Sequence, residues 1–350
     1  MNALRWGSLA LATALIPPVL VAWQSTPQAL QASGIARTDR FRDQVPRTGF
    51  LQTQLPELEI AATELEASYR GFMAASNSAQ AGWSLVKLAD CERWQVQIHG
   101  RDPQAGALAK SSRDHYLEAA ALTRKTGSAA YLVKALLGLA LVETTYLPDY
   151  GSAYSRVTEA LRAAASCPDR GCLAEALEAK VVVEKDRGEL FSAGSRVNGL
   201  LALLQNIPDP LQHFYAYWDR AGIYREMAGS CPTSFQKSLE TCFRLFDLDG
   251  ADMAKARDIA AQAGFTYMAN MAASQIEEVD TLRSLTKSHN SITSLGLSAQ
   301  VFEPKTAKDV LVSEILPVGA FPTQTMEALK EVLQALPKSA GPNTPDFRSI

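Results

Sequence analysis

The sequence contains two short motifs that serine enzymes use to form acyl intermediates. The stretch SLVK from Ser84 to Lys87 has the SxxK spacing, in which a lysine one helical turn away activates the serine, and KTG runs from Lys125 to Gly127. Their context does not suit that chemistry. No SxN motif lies between them, SxxK recurs at other positions, and Lys125 and Gly127 are typical of a helix C-terminus. We therefore predict a protein without catalytic activity.

Residues that bind metals or cofactors are few and scattered. The chain has four histidines and five cysteines, and no two histidines stand at the spacing of metal ligands. Asp247, Asp249 and Asp252 in DLDGAD lack the spacing and the closing glutamate of a calcium-binding EF-hand loop. We expect neither a metal site nor a cofactor, and interpret the aspartates as part of a helix-to-helix turn.

Cys167 and Cys172 are a candidate disulfide. They flank the turn PDRG, where a chain reversal could bring the two α-carbons within the ~5.5 Å that a disulfide requires. The alternative, two free thiols in the turn, stays open. A Cys231–Cys242 bond is rejected, because a helix beginning at Pro232 would separate the sulfurs by ~15 Å. Cys242 is instead predicted to be a buried, unbonded thiol.

The overall composition excludes several classes of protein. The chain has 350 residues, of which 47% are hydrophobic, so it can fill a substantial core and is not disordered throughout. Its 34 basic and 37 acidic residues nearly balance, and no run of lysine or arginine could neutralise a phosphate backbone. We expect no nucleic-acid partner.

The first 22 residues are typical of a secretory signal peptide. A single positive charge at Arg5 precedes an apolar stretch from Leu9 to Trp23, which is short for a membrane span and is interrupted by Pro17 and Pro18. Export to the periplasm or secretion is therefore predicted. The alternative is an uncleaved segment that anchors the chain in the cytoplasmic membrane, which would be the chain's only contact with a membrane.

The rest of the chain is expected to be helical after a flexible lead-in over residues 23–53, which are rich in Gln, Thr, Pro and Arg. From 54 to 290, apolar residues recur at three- and four-residue spacing, as in amphipathic helices, and strand alternation is almost absent. Glycine, proline and aspartate clusters predict helix-to-helix turns. These are HGRDPQAG at His99, LPDYGS at Leu147, SCPDRG at Ser166, NIPDP at Asn206, GSCPTS at Gly229 and DLDGAD at Asp247.

A repeat of about forty residues runs through this region. The segments SAYSRVTEAL at Ser152 and SAGSRVNGLL at Ser192 are similar in sequence and lie forty residues apart. In the second helix of each predicted pair, a small residue is followed by apolar or aromatic residues four and seven places on, which share one helical face. The sets are Ser112, Tyr116, Ala119; Ala153, Val157, Ala160; Ala193, Val197, Leu200; and, more loosely, Ser238, Cys242, Leu245.

These units resemble the tetratricopeptide repeat family, whose signature combines a Leu-Gly pair, a turn glycine and a small residue on the second helix. Leu137-Gly138 followed by Ala153 looks like one unit, Gly188 followed by Ala193 is similar to a second, and Trp218 with Ala221-Gly222 looks like a third. The period is longer than the family's roughly 34 residues. The resemblance implies an all-α, right-handed solenoid of antiparallel helix pairs with a concave groove.

The predicted function is to bind a protein or peptide partner in that groove, as a scaffold or adaptor. The resemblance places groove residues on the inner face of the first helices of each pair. The candidates are Glu143, Glu178, Lys185, Asp219 and Glu226. The alternative is a membrane-anchored sensory or regulatory array that works with a separate effector, such as a peptidase or a signalling enzyme.

In the C-terminal part of the chain, the three- and four-residue spacing of apolar residues becomes weaker. Residues 291–322 mix apolar residues with proline and glycine and have no assigned structure. A last amphipathic helix is predicted over 323–336, with Met326, Leu329, Leu333 and Leu336 on one side, where it would cap the stack. The remainder, 337–350, is linker-like in composition and predicted to be disordered.

Overall fold

The computed structural model describes residues 26–100, 102–230 and 236–296, and within these ranges the protein is built from helices without any strand. These ranges contain eleven α-helices, and a short 3-10 helix at Gln52–Gln54 precedes the second of them. The α-helices are α1 Pro27–Thr48, α2 Leu55–Ala74, α3 Ser78–His99, α4 Pro103–Thr126, α5 Ala129–Thr145, α6 Tyr150–Ala164, α7 Arg170–Asp186, α8 Leu190–Leu204, α9 Pro210–Gly229, α10 Gln236–Gln262 and α11 Thr266–Gly296. The predicted all-helical fold is confirmed.

Four helices begin at an aspartate of a predicted turn. The Asp149 carboxylate accepts a hydrogen bond from the amide of Ser152 at 3.0 Å, and Asp209 accepts from the amide of Leu211 at 2.9 Å. Asp102 and Asp169 cap α4 and α7 in the same way. Each such cap satisfies an amide that the first helical turn leaves unpaired, which contributes about 1 kcal/mol. The turns predicted at His99, Leu147, Ser166 and Asn206 are therefore confirmed.

The turn predicted at DLDGAD is wrong, because α10 runs without interruption from Gln236 to Gln262. Asp249 and Asp252 are buried in the middle of this helix. Two arginines of α9 satisfy them. Arg225 donates two hydrogen bonds to Asp249, at 2.9 and 3.1 Å, and Arg220 donates two to Asp252, at 2.6 and 2.8 Å. Ion pairs between α9 and α10 thus stabilise a helix at a place where the local composition favours a turn.

Residues 23–53 were expected to be a flexible lead-in, and this expectation is also wrong, since α1 occupies Pro27–Thr48. Its buried face includes Gly34 and Thr38 as well as Phe41, so it has no continuous apolar stripe. Close backbone packing against α2 and hydrogen bonds to α3 hold α1 in place instead of an apolar stripe. A β-carbon at Gly34 would lie 2.6 Å from Cγ of Leu65, and the Gln31 amide donates to the hydroxyl of Ser84 at 2.9 Å.

The helices pack as adjacent pairs, and alternate helices also contact each other. Each helix packs against the next, and α1, α3, α5, α7 and α9 also pack against one another in sequence. These odd-numbered helices therefore form an inner row, as the first helices of repeat pairs do. In addition, α1 packs against α11, so the first and last described helices meet. A β-carbon at Gly49 would lie 2.8 Å from the ring of Tyr267.

The repeated small residues lie where helices approach each other. Ala153, Val157 and Ala160 on α6 are fully buried, as are Ala193 and Val197 on α8. The Leu-Gly pair has a related explanation. A β-carbon at Gly138 would collide with the ring of Tyr116, so the bare backbone of α5 leaves room for that buried aromatic of α4.

The cysteines differ in part from expectation. Cys167 and Cys172 are both free thiols, which is the alternative that the sequence left open. Burial, and then a hydrogen bond with the Cys167 thiol, raise the pKa of Cys172 to about 12. Cys242 is disulfide-bonded, so the prediction of an unbonded thiol there is wrong. Cys231 lies outside the described residues.

Several other predictions concern the ends of the chain. Helix α11 extends to Gly296 and so includes the first residues of the segment 291–322 that had no assigned structure. The signal peptide over 1–22, the helix over 323–336 and the tail over 337–350 lie outside the described residues. No helix in the described part of the chain combines the length and the apolar character needed to cross a membrane.

Candidate functional site

A cleft of about 470 Å³ opens on the inner row of helices. Four odd-numbered helices line it: α1 contributes Asp39 and Arg42, and α3, α5 and α7 contribute the rest. On α3 the lining residues Trp83, Lys87 and Asp90 stand four and three places apart, so they form one stripe along the helix. The cleft is therefore a property of the packed array, because no single helix pair contains it.

The cleft has apolar walls. Leu137 and Leu141 of α5 and Val182 of α7 line it, and Leu141 is 37% exposed. Trp83 is held in position by stacking on Tyr131, with 4.7 Å between ring centroids and an interplanar angle of 12°. A rigid aromatic beside exposed aliphatic side chains is a surface that can bury apolar parts of a ligand at little entropic cost.

The cations of the cleft are held by carboxylates. The Lys87 ammonium lies 3.1 Å from the Asp39 carboxylate and 5.0 Å from the centre of the Trp83 ring. Lys134 donates to Glu175 at 2.6 Å. Pairs of this kind fix the charged groups of the wall in place, so that the cleft presents a defined pattern of charge.

Asp90 joins α3 to α4 at the edge of the cleft. The hydroxyl of Tyr116, on α4, donates a hydrogen bond to its carboxylate at 2.6 Å, and Arg93 lies 3.6 Å away. Burial and the Asp90 charge raise the pKa of the Tyr116 hydroxyl well above its ordinary value, so the hydroxyl stays protonated as the donor. This contact ties the cleft wall to the outer layer of helices.

Glu178 lies in the cleft, as predicted for a groove residue. It is half-buried, and its carboxylate makes no hydrogen bond or ion pair with any residue that the structure describes. Burial raises its pKa well above the ordinary value, and the charges of Asp219, Glu175 and Asp209 raise it further. Lys134 has a smaller opposing effect. Glu178 is thus the carboxylate of the cleft that lacks a partner among the described residues.

Lys185 and Asp219 connect α7 to α9. Their side chains form an ion pair at 3.0 Å and are 17% and 8% exposed. Burial raises the pKa of Asp219 although Lys185 opposes the shift. Glu226, two helical turns further along α9, is exposed. The structure therefore brings Glu178, Lys185, Asp219 and Glu226 together on the two neighbouring inner helices α7 and α9.

Glu143 is placed differently from the expectation. It is buried between α5 and α6, where its carboxylate lies 3.7 Å from Arg156, and it does not line the cleft. Burial raises its pKa, partly offset by Arg156. The prediction that it faces the groove is wrong for a geometric reason: it points from an inner helix toward the outer layer, one position before Thr144, which lines the cleft.

Ser84 and Lys87 of the SxxK motif bond to other residues and not to each other, and Lys125 and Gly127 of KTG stand at the C-terminus of α4. Ser84 is fully buried and its hydroxyl bonds to Gln31 and Ser68, while the Lys87 side chain extends to Asp39. In the described part of the chain no three or more His, Cys, Asp or Glu residues are grouped as a metal site would require.

The sequence did not predict the lining residues of α1 and α3, nor Lys134, Leu141, Glu175 and Val182 of α5 and α7. Asp39 and Arg42 were missed because their segment was interpreted as a lead-in. On α3 the stripe of Trp83, Lys87 and Asp90 was a usable signal, since aromatic and charged residues at helical spacing on an otherwise buried helix mark an inner surface.

Comparisons with known proteins add little. No protein-family model matches the chain, and no curated protein matches it. Among solved structures the chain is similar to the crystal structure of BtubC (BKLC) from P. vanneervenii, with 13% sequence identity and a TM-score of 0.32. The match covers 80% of this chain and 96% of that chain. A likeness this weak indicates nothing about function.

Proposed function

We propose that this chain is a non-catalytic helical-repeat protein that binds a segment of a protein partner in the cleft of its inner helices. One observation carries the proposal: the cleft combines solvent-exposed aliphatic side chains with a stacked tryptophan and with charges held in place by ion pairs. Exposed apolar surface that is bordered by fixed polar groups is characteristic of interaction sites.

A matched pair of substitutions tests the proposal. Leu141 in the cleft and Leu117 on α4, which does not line it, are 37% and 36% exposed. Leu141→Arg should weaken binding of an immobilised random peptide library by the full-length protein about tenfold or more, because it places a long charged side chain on the apolar wall. Leu117→Arg should leave binding unchanged. Equal binding by both variants, or no binding by the wild type, would refute the proposal.

We also propose that the helix pairs are tetratricopeptide-like, that they wind as a right-handed solenoid, and that the chain is exported with residues 1–22 as its signal peptide. The forty-residue spacing of Ala153 and Ala193 and the apolar stretch after Arg5 support these points. The intact mass of the mature chain tests export: loss of about 22 residues is expected. An uncleaved chain in the membrane fraction would favour the anchored alternative.

A further inference from the structure

The charges that line the cleft are matched with one exception. Each lining cation faces a carboxylate of its own: Lys87 faces Asp39, Arg93 faces Asp90 and Lys134 faces Glu175. Arg42 lies between Asp39 and Asp43, and Asp43 stands just outside the lining. Of the lining carboxylates in the described part of the chain, only Glu178 has no such partner. The unmatched charge of the cleft is therefore a single negative one.

The neighbours of Glu178 do not supply the missing positive charge. Glu175, one turn earlier on α7, already binds Lys134 of α5. Asp219 of α9 already binds Lys185, and Asp209, which caps α9, adds a further negative charge. Lys134 and Lys185 are already paired with other carboxylates, and Asp209 is itself negative. An ionised Glu178 is therefore poorly stabilised in the unliganded protein.

The surroundings of Glu178 suit a long side chain with a charged end. Leu137 and Leu141 line the cleft from α5 and Val182 from α7, and Trp83 lines it from α3. Tyr215 of α9 lies near enough to feel the charge of Glu178. Burial raises the pKa of the Tyr215 hydroxyl to about 12, Glu178 adds to this shift, and Arg93 opposes it. Aliphatic and aromatic walls can pack against methylene groups while a carboxylate binds the charged end.

We propose that the cleft takes a lysine or arginine side chain of the partner polypeptide, with its charge bound by the Glu178 carboxylate. This inference rests on the proposed peptide-binding function and adds the sign of the charge that is recognised. An acidic side chain is disfavoured, since it would have to compete with Asp39, Asp90 and Glu175 for cations that they already bind. A cation ligand removes the one unmatched charge without breaking a pair.

Peptide pools with one fixed position test the proposal. The pools share randomised flanking residues and carry lysine, arginine, norleucine or glutamate at the fixed position, and they are offered to the full-length protein. We expect the lysine and arginine pools to be retained about tenfold over the norleucine pool, and the glutamate pool to be retained least. Glu178→Gln should abolish this preference. Glu240→Gln, an exposed glutamate of α10 outside the cleft, should preserve it.

A pH series provides a second measurement that does not depend on the variant's fold. A cation binds the ionised carboxylate, and burial raises the pKa of Glu178, so affinity for the lysine pool should rise as the pH increases above the range in which an ordinary glutamate titrates. Affinity for the norleucine pool should stay flat.

The outcomes separate the two proposals. Retention that is independent of the fixed charge, or a lysine preference that survives Glu178→Gln, overturns the inference and leaves peptide binding intact. Failure of every pool to bind the wild type overturns peptide binding itself.

Discussion

Ala153 and Ala193 occupy the same position in two successive repeats: each is the fourth residue of its helix, α6 or α8, and each is fully buried. Val157 and Val197 follow one turn later in both helices and are buried equally. This correspondence explains why the segments that contain these two alanines are similar in sequence. A helix that contacts its neighbour at the same place in each repeat needs the same small residue there.

Enlarging either alanine should therefore destabilise the protein. Ala153→Leu and Ala193→Leu would each force extra methyl groups into a filled contact, at a cost of about 1 to 3 kcal/mol in the free energy of unfolding. Ala202→Leu, at an exposed position of α8, is the control and should change it by less than about 0.5 kcal/mol. Urea titrations followed by circular dichroism measure the difference. Similar midpoints for the three variants would show that these alanines are not tight contacts.

The sequence predicted the repeat well because its signals are local and periodic. It failed where a helix depends on partners far along the chain. Nothing near Asp249 indicates that an arginine of α9 will pair with it, so the Asp-Gly composition favoured a turn. Likewise, the polar face of α1 finds its hydrogen bonds in α3, through Gln31 and Ser84, and such contacts leave no apolar period to detect.

The buried ion pair of Arg225 and Asp249 should be sensitive to loss of charge. The Asp249 side chain is 0% exposed and that of Arg225 is 21% exposed. Asp249→Asn would leave the arginine with a neutral partner in a buried site, and we expect a loss of about 3 kcal/mol in stability. Asp258→Asn removes an exposed pair with Arg257 on the same helix and should cost less than about 0.5 kcal/mol. Equal effects in thermal unfolding would contradict the structural role of the buried pair.

The contact between α1 and α11 can be tested at Gly49. Its backbone has φ 72° and ψ −167°, a region that glycine alone adopts without strain, and a side chain there would meet Tyr267. Gly49→Ala should destabilise the protein by about 1 to 3 kcal/mol. Gly199→Ala, in an open part of α8, should instead be neutral or stabilising by up to about 1 kcal/mol.

The double variant Gly49→Ala with Tyr267→Ala isolates the contact between the two ends of the array. Removing the ring relieves the collision but not the backbone strain, so the two changes should be non-additive and the double variant should recover part of the loss. Strict additivity in urea titrations would mean that α1 and α11 do not meet at this point.

The candidate site was predictable only in part. Glu178 was found because it stands on an inner helix of one of the best-formed repeats, whereas Lys185, Asp219 and Glu226 stand on the inner helices α7 and α9 but do not line the cleft. The contributions of Trp83 and Asp39 depend on how α1 packs against α3 and how α3 packs against α5, which the repeat pattern does not specify. Glu143 shows the opposite error, since one residue along a helix changes the facing direction by about 100°.

Lys180 provides a test through pH. Its side chain is 4% exposed, with the ammonium 3.0 Å from the centre of the Tyr154 ring and 2.9 Å from the Thr158 hydroxyl. Burial lowers its pKa from 10.5 to about 8, although Glu184 opposes the shift. The folded protein therefore holds this proton less tightly than the unfolded chain. Below about pH 8 the protonated lysine penalises the fold, and stability should rise as the pH increases from about 8 toward 10.5, because only the unfolded state then binds the proton.

Lys180→Met should remove both the penalty and the pH dependence. At neutral pH we expect the variant to be as stable as the wild type or more stable by up to about 3 kcal/mol, a limit set by the size of the pKa shift. The advantage should shrink as the pH approaches 10.5, where the wild-type lysine is neutral in both states. Glu184 keeps two hydrogen bonds from Arg196 in the variant, so no carboxylate loses its last partner. Lys110→Met, at an exposed site on α4, is the control and should follow the wild type at every pH. A variant that is less stable at pH 7 and unchanged in its pH profile would mean that the contacts of Lys180 with Tyr154 and Thr158 outweigh the cost of burying its charge.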